Sequence, residues 1–378
     1  MAPSMTLPAI TISPRIRKSP FFDGTIAAGA THFTVYNHMY MPTSYGDPAA
    51  EYHRLLHGVS MWDVAAERQV EIVGPDAEKL VRYLTPRNLG ACEIGKGRYV
   101  PLCDHHGRVI NDPVLLRLEQ DLFWLSIADS DVVLWVRAVA AERGFDCEIS
   151  EPDVSPLAIQ GPKAEDLVAD LLGAWVRELK YFGFKQTALD HIPLVVARSG
   201  WSKQGGFELY LRDGDFGMEL WDAIREAGAK YGIGPGTPNH VERIESGLLS
   251  YGADHEPDAD PFELGLGKLV DLTREDDFIG KEALKRRSTG GAGRKLVGFA
   301  FDGEPFVANQ HPLPMESEDG APAGMMRAAC YSVRRKENVG IAFVPADYAG
   351  IGTQLRFHSG GRVYTGHVAE MPLVKPGK

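Results

Sequence analysis

The chain has 378 residues, of which 44% are hydrophobic and 24% are charged. This balance is typical of an ordinary globular protein and excludes a disordered or fibrous class. A single hydrophobic core rarely grows beyond about 250–300 residues, so the length predicts two or three domains. The formal net charge of −11 argues against a nucleic-acid partner, because binding a phosphate backbone requires clustered Lys and Arg.

Cysteines and apolar runs indicate the compartment. The four cysteines include no CxxC pair, which favours reduced thiols over a disulfide framework or a zinc site. Residues 1–20 lack the apolar core of a signal peptide and are predicted to form a flexible arm. No stretch approaches the roughly 18–20 apolar residues needed to span a bilayer. We therefore expect a cytoplasmic protein with no membrane partner.

Helices and strands are mixed along the first part of the chain. The run EYHRLL, from Glu51 to Leu56, predicts a short helix, and the following VSMWDVAAERQVEIVG turns toward strand alternation. A helix is predicted in GPDAEKLVRYLT, because Pro75 and Asp76 suit a first helical turn. The segment GPKAEDLVADLLG repeats that pattern. Strands are predicted between them in RYVPLCD, INDPVLLRL and DLFWLSI.

The last third changes character. FGMELWDAIREAGAKYG has one apolar face and a glycine stop, which predicts an amphipathic helix. The basic, glycine-rich residues 285–295 are predicted to be a linker, since they offer little apolar surface to bury. Short strands punctuated by Gly and Pro follow, so residues 296–378 are predicted to form a β-rich domain.

Common catalytic motifs are absent. The sequence has no glycine-rich phosphate loop and no Gly-x-Ser-x-Gly element. His53 and His57 are spaced to share one helix face, but no supporting Glu motif accompanies them. This pattern favours a surface or interface pair, and we expect no metal site.

Three segments could carry chemistry, each with an ordinary alternative. In ARSGWSKQGGFELYL a glycine-rich turn leads into a strand bearing Glu208, which could orient a ligand or simply face water. Arg243 lies in NHVERIESGLLSYG and could serve a site or pair with a nearby carboxylate. Asn111 and Asp112 precede Pro113, as they would in a plain turn.

These segments together resemble the glycine-cleavage T-protein family. The family's Gly-Tyr-Thr-Gly-Glu-Asp-Gly-x-Glu run is similar to residues 200–208, and its Arg-Leu-Glu-Ala-Gly-Leu run is similar to residues 243–248. The likeness extends from Met41 to Pro372. Within the family, stretches such as YNHMYMP, RVINDPVLL and RSGWSKQGGFE resemble the dimethylsulfoniopropionate demethylases.

The resemblance implies an α+β fold: a three-domain cloverleaf of the T-protein type, with a C-terminal β-barrel-like domain around a central folate channel. Residues 21–284 would then form two interleaved domains, roughly 21–60 with 150–245 and 61–149 with 246–284. The implied activity moves one methyl group from the sulfonium of dimethylsulfoniopropionate to N5 of tetrahydrofolate. Its products would be methylmercaptopropionate and 5-methyltetrahydrofolate.

The resemblance also assigns site residues. Glu208 would bind the pterin through parallel N–H bonds, with Arg243, Tyr99, Trp201 and Tyr251 lining the folate site. Tyr36 and Trp201 would offer aromatic faces to the cationic end of the substrate, and Lys203 would bind its carboxylate. Lys203 is equally well explained as a solvated turn residue.

Asn111 and Asp112 are the predicted catalytic pair, and here the chain departs from its family. Many T-proteins carry adjacent acidic residues at this place, so the first acid is missing. A sulfonium is already an activated leaving group and needs no protonation. Asp112 would then orient groups or tune N5.

Three other functions fit the same sequence. A related demethylase could act on another onium or methoxy compound, since few pocket residues distinguish cations. A glycine-cleavage aminomethyltransferase would need a lipoylated partner protein, and Asn111 weakens that alternative. A non-enzymatic folate-binding protein of this fold would carry a reactive cysteine, which the turn 201–208 lacks. We expect a small-molecule partner, and the sequence leaves a homodimer possible.

Overall fold

The computed structural model describes residues 11–375, so the part of the predicted arm in residues 1–10 lies outside it. The described residues form eight α-helices: α1 Phe22–Ala27, α2 Pro48–His57, α3 Ala77–Leu84, α4 Val132–Arg143, α5 Ala164–Leu172, α6 Gly217–Gly228, α7 His240–Ser246 and α8 Lys281–Gly290. The helices predicted around 51–56, 74–85, 161–173 and 216–232 correspond to α2, α3, α5 and α6.

The same residues form twenty-one strands: β1 His32–Tyr36, β2 Met39–Ser44, β3 Ser60–Asp63, β4 Gln69–Val73, β5 Lys96–Tyr99, β6 Leu102–Cys103, β7 Val109–Asn111, β8 Val114–Arg117, β9 Leu122–Ser126, β10 Glu148–Ser150, β11 Ser155–Gln160, β12 Phe184–Leu189, β13 Ile192–Ala197, β14 Gly206–Leu211, β15 Gly234–Gly236, β16 Arg294–Phe301, β17 Leu313–Glu316, β18 Pro322–Ser332, β19 Glu337–Pro345, β20 Gln354–Ser359 and β21 Arg362–Ala369.

A six-stranded sheet in the order β12-β13-β14-β11-β3-β15 forms the first layer. Alternate residues of a strand face opposite sides, and on β14 the apolar Phe207, Leu209 and Leu211 face a core shared with α5 and α6. Strand β3 pairs with β11 through Asp63. Residues 61–63 therefore belong to this sheet, although we predicted that the first domain changes to the second at about residue 60.

A second sheet, in the order β10-β4-β9-β8-β5, packs α3 and α4 on one face. Its other face meets the first sheet, where Trp124 of β9 and Tyr210 of β14 share a buried cluster with their ring centroids 6.2 Å apart. The two sheets thus meet at the side of β14 that carries Tyr210 and Glu208.

The predicted β-rich C-terminal domain is confirmed as a closed barrel in the order β16-β19-β18-β17-β20-β21. Its interior is apolar and aromatic, with Phe299, Phe301 and Phe357 packed together. Helix α7 lies against the barrel, since Ile244 packs with Val339 and Ile341.

The predicted linker at 285–295 is wrong for residues 285–290, which continue α8. Leu284 is fully buried with Val109 of the β6–β7 hairpin, and Arg287 Nη1 donates to Asp260 Oδ2 at 2.8 Å. These contacts come from distant parts of the chain, so the basic, glycine-rich composition did not reveal them. Only residues 291–293 separate α8 from the barrel.

The predicted flexible arm is also wrong for residues 17–20. The main chain of Arg17 bonds to both sides of the β1–β2 turn, with its N–H donating to His38 O at 2.8 Å and its carbonyl accepting from Tyr40 N at 2.9 Å. Ser19 Oγ donates to the buried Asp63 Oδ2 at 2.5 Å. This stretch is therefore held on the first sheet.

Candidate functional site

Glu208 lies on β14 at a seam between two apolar clusters. Its neighbours in register are Ala158 of β11 and Ala197 of β13. Ala197 belongs to the cluster between the two sheets, and Ala158 to a cluster under α2. Both neighbours are short, so the carboxyl group stands beside space that larger side chains would fill.

The two oxygens of the Glu208 carboxyl group differ in their partners. Oε2 accepts hydrogen bonds from Ser199 Oγ and from Tyr210 Oη, the latter at 3.1 Å. Oε1 accepts none from any residue between 11 and 375, although Glu208 is only 5% exposed. Burial raises the pKa of this carboxyl, partly offset by the two hydroxyl donors. Because Oε1 has no hydrogen-bond donor among the described residues, it is free to accept an N–H donor from a ligand.

The turn before Glu208 is built around Gln160. This fully buried amide donates to Ser199 O at 3.1 Å and accepts from Ser202 Oγ at 2.8 Å. A Cβ on Gly200 would lie 2.0 Å from Gln160 Nε2, and one on Gly206 would lie 2.3 Å from Ile159 O. Both glycines also have positive φ, so no other residue type fits these positions without strain.

Glu242 of α7 holds the same turn from the side. Its Oε1 accepts from Lys203 N at 3.0 Å, from Gln204 Nε2 at 2.9 Å and from Ser246 Oγ at 2.7 Å. The side chain is 1% exposed, and its Oε2 has no partner. The turn carrying Trp201 is therefore fixed to α7.

Two buried asparagines converge on Ala128, and we call this meeting point the Ala128 junction. Asn37 Nδ2 donates to Ala128 O at 3.1 Å and to Ala66 O at 3.0 Å. Asn111 Nδ2 donates to Ala128 O at 3.0 Å and to Ser130 Oγ at 2.8 Å, while its Oδ1 accepts from Ala128 N at 3.0 Å. Both N–H groups of Asn111 are thus used within the protein.

The junction gathers three candidate side chains that adjoin its members in sequence. Tyr36 precedes Asn37, Glu67 follows Ala66, and Asp112 follows Asn111. The three are close enough for the charges of Glu67 and Asp112 to add to the effect of burial in raising the pKa of Tyr36. The structure therefore brings together residues from β1, from the turn after β3 and from the end of β7.

Asp112 is held by Tyr99, whose hydroxyl donates to Asp112 Oδ2 at 2.6 Å. Burial raises the pKa of Asp112 to about 7, although the bond from Tyr99 opposes the shift. Burial and the same carboxyl raise the pKa of Tyr99 well above its usual value. Asp112 is therefore suited to gain or lose a proton near neutral pH.

Glu67 links the two sides of the site. Burial raises its pKa well above the usual value, and the charges of Glu208 and then Asp112 add to the shift. We call Glu67, Asp112 and Glu208 the carboxyl cluster. Among the influences on the pKa values of these three groups there is no lysine or arginine. The cluster thus concentrates acidic groups without a counter-cation.

Tyr251 is a further tyrosine near Asp112. Burial, followed by the charges of Asp112 and Asp129, raises the pKa of Tyr251 to about 12. Its ring meets His255 edge-on, with the centroids 5.2 Å apart. Tyr36, Tyr99 and Tyr251 each keep part of their surface exposed, so the cluster is bordered by tyrosines that solvent can reach.

Arg243 has an internal partner. Its Nη1 donates to Asp254 at 2.9 and 3.1 Å, and both side chains are almost fully buried. Asp254 also raises the pKa of Asp112, as the weakest influence on it. Arg243 therefore supports the segment that carries Tyr251. Its observed contact is the pair with a nearby carboxylate that the sequence analysis gave as the alternative to a ligand role.

The remaining predicted residues lie at the surface of the site. Trp201 is half-buried, and Lys203 is exposed, with no ion pair to any described residue. His53 and His57 have ring centroids 4.6 Å apart. Among residues 11–375 no three His, Cys, Asp or Glu side chains form a group that could hold a metal. None of the helices in this range has both the length and the apolar composition to cross a membrane.

Sequence reasoning missed three residues of this region. Glu67 follows the quoted stretch DVAA, and Glu242 directly precedes Arg243, so both lay within stretches of interest. Tyr181 is 62% exposed, and desolvation together with the charge of Glu208 raises its pKa. The only available indication for Glu67 and Glu242 was that both lie in the segments that carry the family resemblance.

Comparison with known proteins identifies the family. Residues 21–274 match the GCVT N-terminal domain, and residues 294–375 match the glycine cleavage T-protein C-terminal barrel domain. The dimethylsulfoniopropionate demethylase DmdA of Ruegeria pomeroyi is 44% identical over 342 residues, covering 90% of this chain and 93% of that protein. An aminomethyltransferase of Saccharopolyspora erythraea is 30% identical over 366 residues, covering 95% and 98%.

A solved structure supports the fold. The glycine cleavage system aminomethyltransferase T from Bartonella henselae superposes with a TM-score of 0.85 at 22% identity, covering 96% of this chain and 99% of that one. The predicted α+β fold of the T-protein type, with a C-terminal barrel, is thereby confirmed. Because both domain families match and together span most of its length, the chain belongs to the glycine cleavage T-protein family.

Proposed function

We propose that this protein is a tetrahydrofolate-dependent demethylase that moves a methyl group from the sulfonium of dimethylsulfoniopropionate to N5 of tetrahydrofolate. The products would be methylmercaptopropionate and 5-methyltetrahydrofolate. The observation that carries the proposal is the carboxyl cluster, in which Glu208 Oε1 accepts no hydrogen bond from residues 11–375 and no counter-cation is present. The 44% identity to DmdA supports this donor over the aminomethyl group.

The described residues fit a reduced pterin. Glu208 Oε1 is free to accept N–H bonds from a ring edge, while Ala158 and Ala197 leave room beside it. Tyr99, Tyr251 and Trp201 supply half-buried rings around the same region. Tetrahydrofolate, when bound, would supply a nucleophilic nitrogen as the methyl acceptor.

The electrostatics suit a cationic donor. Carboxyl groups and tyrosine faces attract a sulfonium, and half-buried Tyr36 is near enough to Glu67 and Asp112 for their charges to raise its pKa. Trp201 offers a second half-buried ring, while the exposed amine of Lys203 is available for the donor's carboxylate. Alignment of the two reactants in a site that excludes water can contribute about 7–11 kcal/mol.

Asp112 would accept the proton that the methyl transfer releases. The transfer breaks one S–CH₃ bond, forms one N–CH₃ bond and releases the proton of the accepting nitrogen. Asp112 can take that proton at its carboxylate when it is ionised, because Tyr99 orients it and its pKa is about 7. Asn111 would act as a positioning residue, since its amide is already used at the Ala128 junction.

The experiment is a comparison of methyl donors. Purified protein is incubated with tetrahydrofolate and dimethylsulfoniopropionate, and 5-methyltetrahydrofolate is measured, with glycine betaine and a methoxyaromatic acid in parallel. We expect turnover of the sulfonium. Turnover of betaine or of the methoxy acid alone would assign a different demethylase, and release of ammonia from aminomethyl-lipoate would assign the aminomethyltransferase activity instead.

A further inference from the structure

We propose that Glu242 is a positioning residue, which holds the turn of residues 199–206 from helix α7 so that the ring of Trp201 is presented to the methyl donor. The inference rests on the proposed function and deepens it, since it concerns how the donor side of the site is kept in place. It also accounts for a carboxylate that is only 1% exposed and that neither folate binding nor proton transfer uses.

The ring of Trp201 has few partners within the protein. It is half-buried, yet it makes no hydrogen bond to any residue from 11 to 375 and belongs to none of the apolar clusters that these residues form. A tryptophan that supports a fold normally packs its ring and pairs its N–H. Trp124 does both, since it is fully buried and its Nε1 donates to Glu71 Oε2 at 2.8 Å. The ring of Trp201 therefore has surface left for a ligand.

The main chain on both sides of this ring is fixed by the first sheet. Gln160 Nε2 donates to Ser199 O at 3.1 Å, and Gln160 Oε1 accepts from Ser202 Oγ at 2.8 Å. Further along the turn, Gly205 O accepts from Gly161 N at 2.9 Å. These contacts hold the two ends of the turn but not its apex.

Glu242 supplies the contacts at the apex. Its Oε1 accepts from Lys203 N at 3.0 Å and from Gln204 Nε2 at 2.9 Å. The same oxygen accepts from Ser246 Oγ at 2.7 Å, which orients the carboxyl group from one helical turn away. Asn239 caps the helix, because its Oδ1 accepts from Glu242 N at 3.0 Å. Loss of the carboxyl group would therefore release the apex and leave the contacts with the first sheet intact.

Helix α7 is itself anchored on two other parts of the protein. Glu245 of this helix accepts from Tyr52 Oη of α2 at 2.8 Å and from Ser332 Oγ of the barrel at 2.5 Å. Arg334 Nε of the barrel donates to the same carboxylate at 2.7 Å. A turn held by α7 consequently keeps its place relative to the barrel as well as to the first sheet.

The second oxygen of Glu242 makes the role testable. Oε2 is buried and has no hydrogen-bond partner among the described residues. In Glu242→Gln the amide oxygen can replace Oε1 and the amide nitrogen can replace Oε2, so all three accepted bonds can be kept. In Glu242→Leu much of the bulk remains, but every one of these bonds is lost. The two variants thus separate hydrogen bonding from the filling of space.

The experiment measures the turn and the two substrates separately. Hydrogen exchange in the peptide 199–207 is followed by mass spectrometry in the ligand-free protein, and KM is measured for dimethylsulfoniopropionate and for tetrahydrofolate. The proteins are the wild type, Glu242→Leu, Glu242→Gln and the control Asp153→Ala. Asp153 holds the turn at the other end of β14, where its Oδ2 accepts from Gly214 N at 2.9 Å.

In Glu242→Leu we expect faster exchange in that peptide. The KM for dimethylsulfoniopropionate should rise about tenfold, as for the loss of one contact between a cation and an aromatic ring. The KM for tetrahydrofolate should not change, because Gln160 still holds Ser199, the hydroxyl donor to Glu208. Glu242→Gln and Asp153→Ala should match the wild type in all three measurements.

Unchanged exchange and an unchanged donor KM in Glu242→Leu would overturn the inference. An equal rise of both KM values would also overturn it, because Glu242 would then support the fold in general and not the donor side. If Glu242→Leu does not fold, Gln204→Ala removes one of the two bonds between the turn and Glu242 and should raise the donor KM about threefold. No rise in Gln204→Ala would count against the inference in the same way.

Failure of the proposed function would be recognised separately. A wild type that binds tetrahydrofolate but transfers no methyl group from dimethylsulfoniopropionate would reject that function, and with it the role of Trp201 toward this donor. Exchange in the ligand-free protein would still decide whether Glu242 holds the turn, because that measurement requires no substrate.

Discussion

Helix α7 and the carboxyl cluster both contain several charged side chains, but the two regions differ in how those side chains are paired. On α7, Arg243 is paired with Asp254, and Glu245 accepts bonds from Tyr52 at 2.8 Å and from Arg334. In the carboxyl cluster, Glu208 keeps an unpartnered oxygen, and Glu67 has neither a donor nor a counter-ion among the described residues. Arg243 and Glu245 of α7 are therefore paired within the protein, whereas Glu67 of the carboxyl cluster is not.

This difference distinguishes side chains that hold the fold together from side chains that can bind a ligand. A buried charge whose partners are all internal holds elements together, here α2, α7 and the barrel, which meet at Glu245. A buried polar group with unused bonding capacity destabilises the free protein, and a ligand can recover that loss. Burial alone therefore does not identify a functional residue; the state of its partners does.

The largest expected change in stability comes from breaking the pair of Arg243 with Asp254. Arg243→Met keeps the bulk of the side chain but leaves Asp254 buried without its cation, which should lower the free energy of unfolding by about 3–5 kcal/mol. Chemical denaturation measures this. Arg225→Met is the matched control, because Arg225 makes an exposed pair with Asp222 and should change stability by less than about 0.5 kcal/mol. Unchanged stability with lost tetrahydrofolate affinity would place Arg243 among the ligand contacts instead.

The next effect concerns proton transfer in the carboxyl cluster. Because the pKa of Asp112 is raised to about 7, the carboxyl is protonated below that pH and cannot accept a proton. Methyl-transfer rates should therefore rise as pH increases through about 7. Asp112→Asn should remove this limb and lower kcat about 100-fold, equivalent to about 2.7 kcal/mol.

Tyr99→Phe is a second test of Asp112 as the titrating group. The bond from Tyr99 lowers the pKa of Asp112, so its loss should shift the rise in methyl-transfer rate to higher pH. A profile that keeps the same limb in Asp112→Asn would exclude Asp112 as the group that titrates.

The smallest expected effect tests the folate contact. Glu208→Gln should weaken tetrahydrofolate binding by about 1.5–3 kcal/mol, since it replaces a charged acceptor, as calorimetry would show. Stability should not fall. Burial raises the pKa of Glu208, so the free energy of unfolding of the wild type falls as pH rises above the usual glutamate range, and that of the variant does not. Equal folate affinity in Glu208→Gln and wild type would remove this residue from the site.

Local patterns were sufficient for the regular elements. The apolar stripe and the Gly-Pro start predicted α3 and α5, and short strands with Gly and Pro predicted the C-terminal barrel. The prediction was wrong for α8, because that helix is stabilised by Leu284 against the β6–β7 hairpin and by Arg287 on Asp260. Such contacts are invisible to a reading of composition.

The site was predicted only in part. Glu208 and Asp112 were singled out because they lie in motifs, but their shared neighbour Glu67 was not. The Ala128 junction joins Asn37 to Ala128 across 91 residues of sequence, and Glu242 reaches Lys203 across 39. Neither pairing leaves a periodic trace along the chain.

The sequence by itself determined the family, helices α2, α3, α5 and α6, the β-rich C-terminal domain, and the two carboxyl groups on which the proposed chemistry depends. Those features are local: periodicity, glycine positions and motif spacing. Which charged side chains are paired was decided only by the tertiary structure, as the pair of Arg243 with Asp254 demonstrates. The reason is physical, since the pKa and the bonding capacity of a side chain depend on neighbours brought from distant parts of the chain.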